Sequence, residues 1–284
     1  MSVVPPRGPR AATTIGVTSG KGGVGKTAIA INLAVALAGA GARVGVLDAD
    51  FALGKIDVML GLTPRQHLGH VVHGACTLDE VVIDGPGGIA VMPSGSGHRE
   101  LTALTPDHWL RLASEVDRIR DRFDYLILDT AAGISDNVVD LAAACQRVLV
   151  VTSPDPGAMV DGYAVAKLIS LQSPDADLGL VVNLAGTTEE ANLVFRQLDL
   201  AADRFLNRRL SYFGCIPRDP ALGESVRAQQ ALVARLPHSP AGRAFRRLAS
   251  RVSGLGPVPG RSLRMPARTL ALAHSRKEEV PQCA

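Results

Sequence analysis

The stretch from Thr13 to Asp50, TTIGVTSGKGGVGKTAIAINLAVALAGAGARVGVLDAD, constrains the fold more than any other part of the chain. TTIGVTS is a short β-type run, TAIAINLAVALAGAGA carries a helical pattern ended by Gly39 and Gly41, and RVGVLDAD is a second β-type run. Strand, tight turn, helix and strand in that order make a βαβ unit, whose two strands lie parallel in one sheet. The turn contains Gly20, Gly22, Gly23 and Gly25. A glycine-rich turn between strand and helix lets successive backbone N–H groups face an anion, and the helix N-terminus adds its own positive end.

Further buried-strand candidates follow: GIAVMP, YLILDT, RVLVVTS, LGLVVNL and LSYFGCI, with helical patterns around 107–121, 136–145, 158–172 and 188–206. Continuous apolar strands alternating with helices predict an α/β fold, a mostly parallel sheet covered by helices on both faces. With 284 residues, 46% of them hydrophobic, the chain can bury a full core around such a sheet, as one domain with tails. Residues 1–12, MSVVPPRGPRAA, read as a flexible lead. Residues 13–253 form the domain, and 254–284, punctuated by Pro and Gly, form a C-terminal tail.

The loop narrows the chemistry. This protein has 30 basic residues, yet its only lysines are Lys21, Lys26, Lys55, Lys167 and Lys277, and two of them sit within SGKGGVGKTA. Lys26 is placed to reach the β- and γ-phosphates of a nucleoside triphosphate, and the Thr27 hydroxyl to ligate Mg²⁺. The whole turn from Gly20 through Lys21, Gly22, Gly23, Val24, Gly25, Lys26 and Thr27 to Ala28 is the expected phosphate cradle. VLDAD ends a strand with Asp48 and Asp50 two apart, pointing the same way at the carboxyl edge of the sheet, where α/β folds bind ligands. Asp129, at the end of YLILD, is a Walker B carboxylate suited to holding Mg²⁺ through water, followed by the switch-like Gly133. A strand-ending aspartate also serves as a helix cap; it is the three together that point to a site. Asn183, just past a strand in VVNLAG, has an amide that can pair with an adenine edge or close a turn.

Lys26 alone satisfies a standard phosphate loop, which leaves Lys21 without a task in its own site. The KGGxGK[ST] form resembles the deviant Walker A ATPases, the MinD/ParA group of the SIMIBI-type P-loop NTPase fold. The resemblance implies an ATP-dependent sandwich dimer in which Lys21 reaches the partner's nucleotide, as an arginine finger does. It also implies that Asp50 positions the attacking water, that Asp48 supports the metal shell, and that Pro217 and Asp219 of GCIPRDPAL lie near the base. Over residues 13–252 several segments look more specifically like the flagellar-number regulators of the FlhG or FleN (YlxH) type. DADFALGKIDVMLGL resembles that group's DADLGLANVDVMLGL, and SPDPGAMVDGYAVAKL its TTPEPTSITDAYALIKL. Ala52 replaces a switch glycine of the group, Lys55 stands where Asn is usual, and nothing in the lead matches the DQAxxLR helix that contacts the GTPase FlhF.

The resemblance implies ATP and Mg²⁺ as cofactors, and as partners a second copy and a flagellar protein: a FleQ-type activator, FlhF or a switch-complex component. MinD-type division-site positioning and ParA-type partitioning are the alternatives. Formal net charge is only +3 and the basic excess gathers near the C-terminus, which argues against nucleic acid. Cys76, Cys145, Cys215 and Cys283 form no CxxC pair, so iron–sulfur carriers lack their ligands and reduced thiols in a cytoplasmic protein are expected. SPAGRAFRRLASRVSG sets Arg243, Arg246, Arg247 and Arg251 opposite Phe245, Leu248 and Val252. Such a helix either docks its apolar face on the domain or, paired in a dimer, is a candidate for peripheral attachment to the inner face of the cell membrane.

Overall fold

The structure, a computed structural model, describes residues 12–95, 104–256, 258 and 263. Most of the lead and of the tail, including Pro266, HSRKEEVPQ and Cys283, lies outside the described residues.

The expected βαβ unit is β1 (Thr13–Ser19), α1 (Lys26–Gly39) and β2 (Val44–Ala49). Short helices α2 (Ile56–Leu60), α3 (Leu68–His73) and α4 (Leu78–Val81) lead to strands β3 (Ile83–Asp84) and β4 (Ala90–Met92). The chain continues through α5 (Pro106–Ile119), β5 (Tyr125–Ala132), α6 (Asp136–Ala143), β6 (Arg147–Thr152), α7 (Pro156–Gln172), β7 (Asp177–Ala185), α8 (Thr188–Leu206) and β8 (Ser211–Pro217). It closes with α9 (Pro220–Arg227), α10 (Leu232–Arg235) and α11 (Pro240–Gly254). The eight strands form one sheet in the order β3-β4-β2-β5-β1-β6-β7-β8, parallel throughout except for the β3–β4 pair.

Side chains alternate across a strand, so each strand supplies two cores. On β5, Leu126 and Leu128 face the core shared with α5, α6 and α7, whereas Ile127 faces the core shared with α1 and α11. By the same alternation Asp129 falls on the α1 side. On β2, Val46 faces α1 and Leu47 the opposite core, which puts Asp48 on the α1 side as well. Helix α1 is buried on nearly every face, and that explains its apolar composition all round. Its one interior polar residue is tied at both ends: Asn32 Nδ2 donates to Ala28 O at 2.8 Å, and Val233 N–H donates to Asn32 Oδ1 at 2.9 Å.

Between its two expected fates, the basic amphipathic segment has taken the first. It is α11, capped by Ser239, and Phe245, Leu248 and Val252 are buried against α1 and β8. Beyond its end, Val258 N–H donates to Thr13 Oγ1 at 3.2 Å, Gln146 Nε2 donates to Val258 O at 2.9 Å, and Leu263 is buried in the core on the other face of the sheet. Val258 is therefore tied to the first residue of β1 and to the residue just before β6. At the other boundary, Ala12 is already part of the core.

Candidate active site

Strands β2, β5 and β1 are neighbours and end at one edge. Asp48 lies opposite Asp129 in the β2–β5 register, and Asp129 opposite Val17 in the β5–β1 register. The loop from Gly20 to Gly25 leaves the same edge and opens into α1. Two of its glycines are required by their surroundings. A Cβ on Gly20 would lie 2.2 Å from Asp161 O of α7. Gly25 has φ 91°, and a Cβ there would lie 2.3 Å from Asn183 Nδ2. The loop is thus clamped between α7 and the end of β7, with Lys21, Gly22 and Gly23 exposed and Val24 and Lys26 buried.

Around the start of α1 the carboxylates are held under strain of burial. Asp129 is pushed up to about 6, chiefly by desolvation, with Lys26 and the Thr27 hydroxyl pulling the other way. Asp48 is pushed up to about 7 by desolvation and then by the charge of Asp129, although backbone N–H groups of Ile56 (3.1 Å) and Asp50 (3.2 Å) donate to it. Asp50 is half-buried, and its Oδ1 accepts from Leu53 N–H at 3.0 Å. Two acidic groups so placed, with Thr27 beside one of them, have the donor set of a hydrated divalent cation. A second observation agrees: Asp129 Oδ1 is buried with no hydrogen-bond partner among the described residues. Buried polar atoms are nearly always satisfied, so this one has room for a polar ligand that the protein itself does not supply.

On the other side of the loop, Gly23, Gly25, Ala28, Asn183, Leu184, Arg218 and Asp219 border a cleft of ≈ 690 Å³. Asn183 is buried and donates to Val24 O at 2.6 Å, while its Oδ1 has no partner among the described residues. Its amide is set by a bulge: the β7–β8 register shifts between Asn183 and Ala185, and Leu184 has φ 59°, a left-handed conformation that a bulky residue rarely adopts. Asp219 borders the cleft, but both its oxygens are engaged. Ala221 N–H and Ala241 N–H each donate to it at 3.0 Å, capping α9 and fastening α11. Pro217 is the last residue of β8, opposite Ala185.

Sequence reasoning missed three of these features. Asp155 accepts from Lys21 Nζ at 2.8 Å, Asp161 presents its carbonyl to Gly20, and Arg218 lines the cleft. The first two lie in SPDPGAMVDGYAVAKL, a segment singled out above without any tie to the loop. Ala52 and Lys55, the two departures in DADFALGKID, cause no backbone strain: neither has a positive φ.

Comparison with known proteins covers most of the chain. Residues 10–88 match the ParA family in the form described as NUBPL iron-transfer P-loop NTPase. The antiactivator FleN of Pseudomonas aeruginosa is 40% identical over 245 residues, 86% of this chain and 87% of that protein. The chain belongs to the ParA/MinD family of P-loop NTPases. The flagellum site-determining protein YlxH of Helicobacter pylori is 32% identical over 77% of this chain and 74% of its own length. In fold, the chain matches the septum site-determining protein MinD of Pyrococcus horikoshii, solved as a complex with Mg-ADP. That match has a TM-score of 0.74 and 24% identity, over 86% of this chain and 97% of that one.

Proposed function

We propose that this protein is an ATP-dependent dimerising switch with weak ATPase activity that regulates the number or placement of flagella. The flagellar part is carried by the likeness, over about three quarters of the chain, to a flagellum site-determining protein, joined by the longer likeness to FleN. The switch part is supported by the unequal surroundings of the two loop lysines: Lys26 is buried beside Asp129, and Lys21 is exposed on the outside of the loop.

Each residue then has a role. The backbone from Gly20 to Ala28 and the Lys26 ammonium hold the phosphates of ATP. Thr27 and Asp129 would hold Mg²⁺ together with its water shell, which Asp48 would support; the ion when bound would supply neutralisation of charge on the phosphate oxygens. Asp50 orients the attacking water. Asn183 and the chain at Pro217 and Asp219 border the adenine, with Asp219 contributing through the helix it caps rather than through a free carboxylate. Lys21 serves the nucleotide of a second copy, so turnover is weak until two chains pair. The ATP-bound pair engages a flagellar partner: an activator of the FleQ type, the FlhF GTPase or a switch-complex component. Among the described residues no helix is long and apolar enough to cross a membrane.

The test is deletion in the source bacterium, with cells imaged for flagella and septa together. Extra or misplaced flagella with normal septa is the expected outcome. Minicells would transfer the chain to division-site positioning, and unstable replicon inheritance to partitioning.

A further inference from the structure

With Phe245, Leu248 and Val252 of α11 buried against the domain, its arginines are left exposed, and two of them, Arg247 and Arg251, border a cavity of ≈ 320 Å³. The cavity lies between α8, β8 and α11, and β8 is the last strand of the sheet. Every residue from Tyr212 to Ile216 borders it. Successive strand residues point to opposite faces, so a space that touches all of them runs along the edge of β8 rather than under either face. Pairing of a further strand is discouraged there. Phe213 bulges out of the β7–β8 register, Gly214 has φ 114°, and Arg251 Nη1 donates to Tyr212 O at 2.6 Å. The edge is left with a pocket at the small end of the range of small-molecule sites.

Its lining is apolar at Val181, Phe213, Ile216, Ala244 and Leu248, cationic at Arg247 and Arg251, and includes no carboxylate. Neither arginine forms an ion pair among the described residues. They stand four apart on α11, where like charges repel, and an anion between them relieves that repulsion. Arg251 is already oriented: besides its bond to Tyr212 O, its guanidinium carbon lies 5.9 Å from the centre of the Tyr212 ring, which is stacked on Phe195. A guanidinium has five N–H donors, so one bond to a carbonyl fixes the fork and leaves the others for a ligand. We propose that this cavity binds a small amphipathic anion, an aryl or acyl chain ending in a carboxylate, phosphate or sulfonate. The charged end lies between Arg247 and Arg251, and the apolar body lies on Phe213, Ile216 and Leu248. The cavity shares no lining residue with the adenine cleft, so such an anion and ATP do not compete for one place.

The probe is anilinonaphthalene sulfonate, an aryl anion whose fluorescence rises out of water, set against phenylnaphthylamine, the same skeleton without the sulfonate. Arg247→Gln combined with Arg251→Gln in the full chain should weaken binding of the sulfonate by about tenfold or more, because charge-assisted hydrogen bonds are lost, and change binding of the neutral probe by less than about twofold. Unchanged binding of a labelled ATP shows that the variant is folded. Cys215, half-buried in the lining, reports on the cavity without any substitution. In the parent chain, sulfonate at ten times its dissociation constant should slow alkylation of Cys215 by N-ethylmaleimide by about tenfold, read by mass spectrometry of the peptides, and leave the rate at Cys76 unchanged. Equal affinity for the sulfonate in parent and variant overturns the assignment. So does a neutral probe weakened as much as the sulfonate, or alkylation of Cys215 at the same rate with and without the probe; this last measurement decides alone if the variant fails to bind ATP.

Discussion

Lys21 and Lys26 are five positions apart and meet opposite surroundings, and the difference follows from backbone direction at each. Lys26 is the first residue of α1, so its side chain turns back over the loop towards Asp129 and is only 9% exposed. Lys21 precedes the turn and points outwards to Asp155. Lys26→Ala should therefore abolish nucleotide binding measured by fluorescence of a labelled ATP. Asp50 differs from its neighbour Asp48 in the same way. Asp48 is fully buried and fixed by two backbone donors, whereas Asp50 is half-buried with one oxygen engaged, the arrangement of a group that must meet a mobile water. Asp50→Ala should lower turnover by about 100-fold or more while leaving ATP binding intact, and the protein should run as a persistent dimer with ATP. Monomeric behaviour with ATP would count against this role.

At the scale of elements, Asp219 shows how a residue near a ligand cleft can act through a helix. Burial alone would raise its carboxyl, but the N–H groups of Ala241 and Ala221 outweigh that and hold it below the ordinary carboxylate range. A depressed carboxyl stabilises the fold above its unfolded value, near 3.9, and loses that contribution as pH falls through the lower folded value. Asp219→Ala should cost about 1–2 kcal/mol at pH 7 by urea unfolding, and the difference from the parent should shrink below about pH 4. The seven longer strands and the long helices were legible because continuous apolar runs and 3.6-residue periods extend over enough residues to be read. Strand β3, two residues long, and helices α2, α3, α4 and α10, of four to six, are too short to show a period. The site divides along the same line. Gly20 to Ala28, Asp48, Asp50 and Asp129 are local motifs, visible in the sequence. The Lys21–Asp155 pair and the bulge that aims Asn183 depend on β1 lying beside β6 and β7 beside β8, which no local pattern states.

For the molecule as a whole, three of the exposed apolar side chains stand at the end of the sheet that carries the chemistry. Leu53 follows Asp50, Ile134 follows Gly133, whose N–H donates to Ser19 O, and Val160 stands on the first turns of α7 beside the loop; they are 64%, 55% and 68% exposed. Scattered surface leucines and valines need no explanation, but three on the connections that surround a phosphate loop form a rim that a second copy would cover. The same end carries Lys21, to which the proposed function gives a task in a second copy, so under that reading the apolar rim and this cation call for one occupant. Val160 does not line the adenine cleft, which makes it a probe of association. Val160→Glu should leave binding of ATP to the single chain unchanged and weaken ATP-dependent pairing by about tenfold or more. Covering one such side chain is worth roughly 1.5 kcal/mol, and a buried unpaired carboxylate costs further. Turnover should fall in step with the loss of dimer and recover as protein concentration is raised, which a defect in the site itself would not do. Turnover that stays low once sedimentation shows the dimer restored would place Val160 inside the catalytic path and detach the rim from pairing.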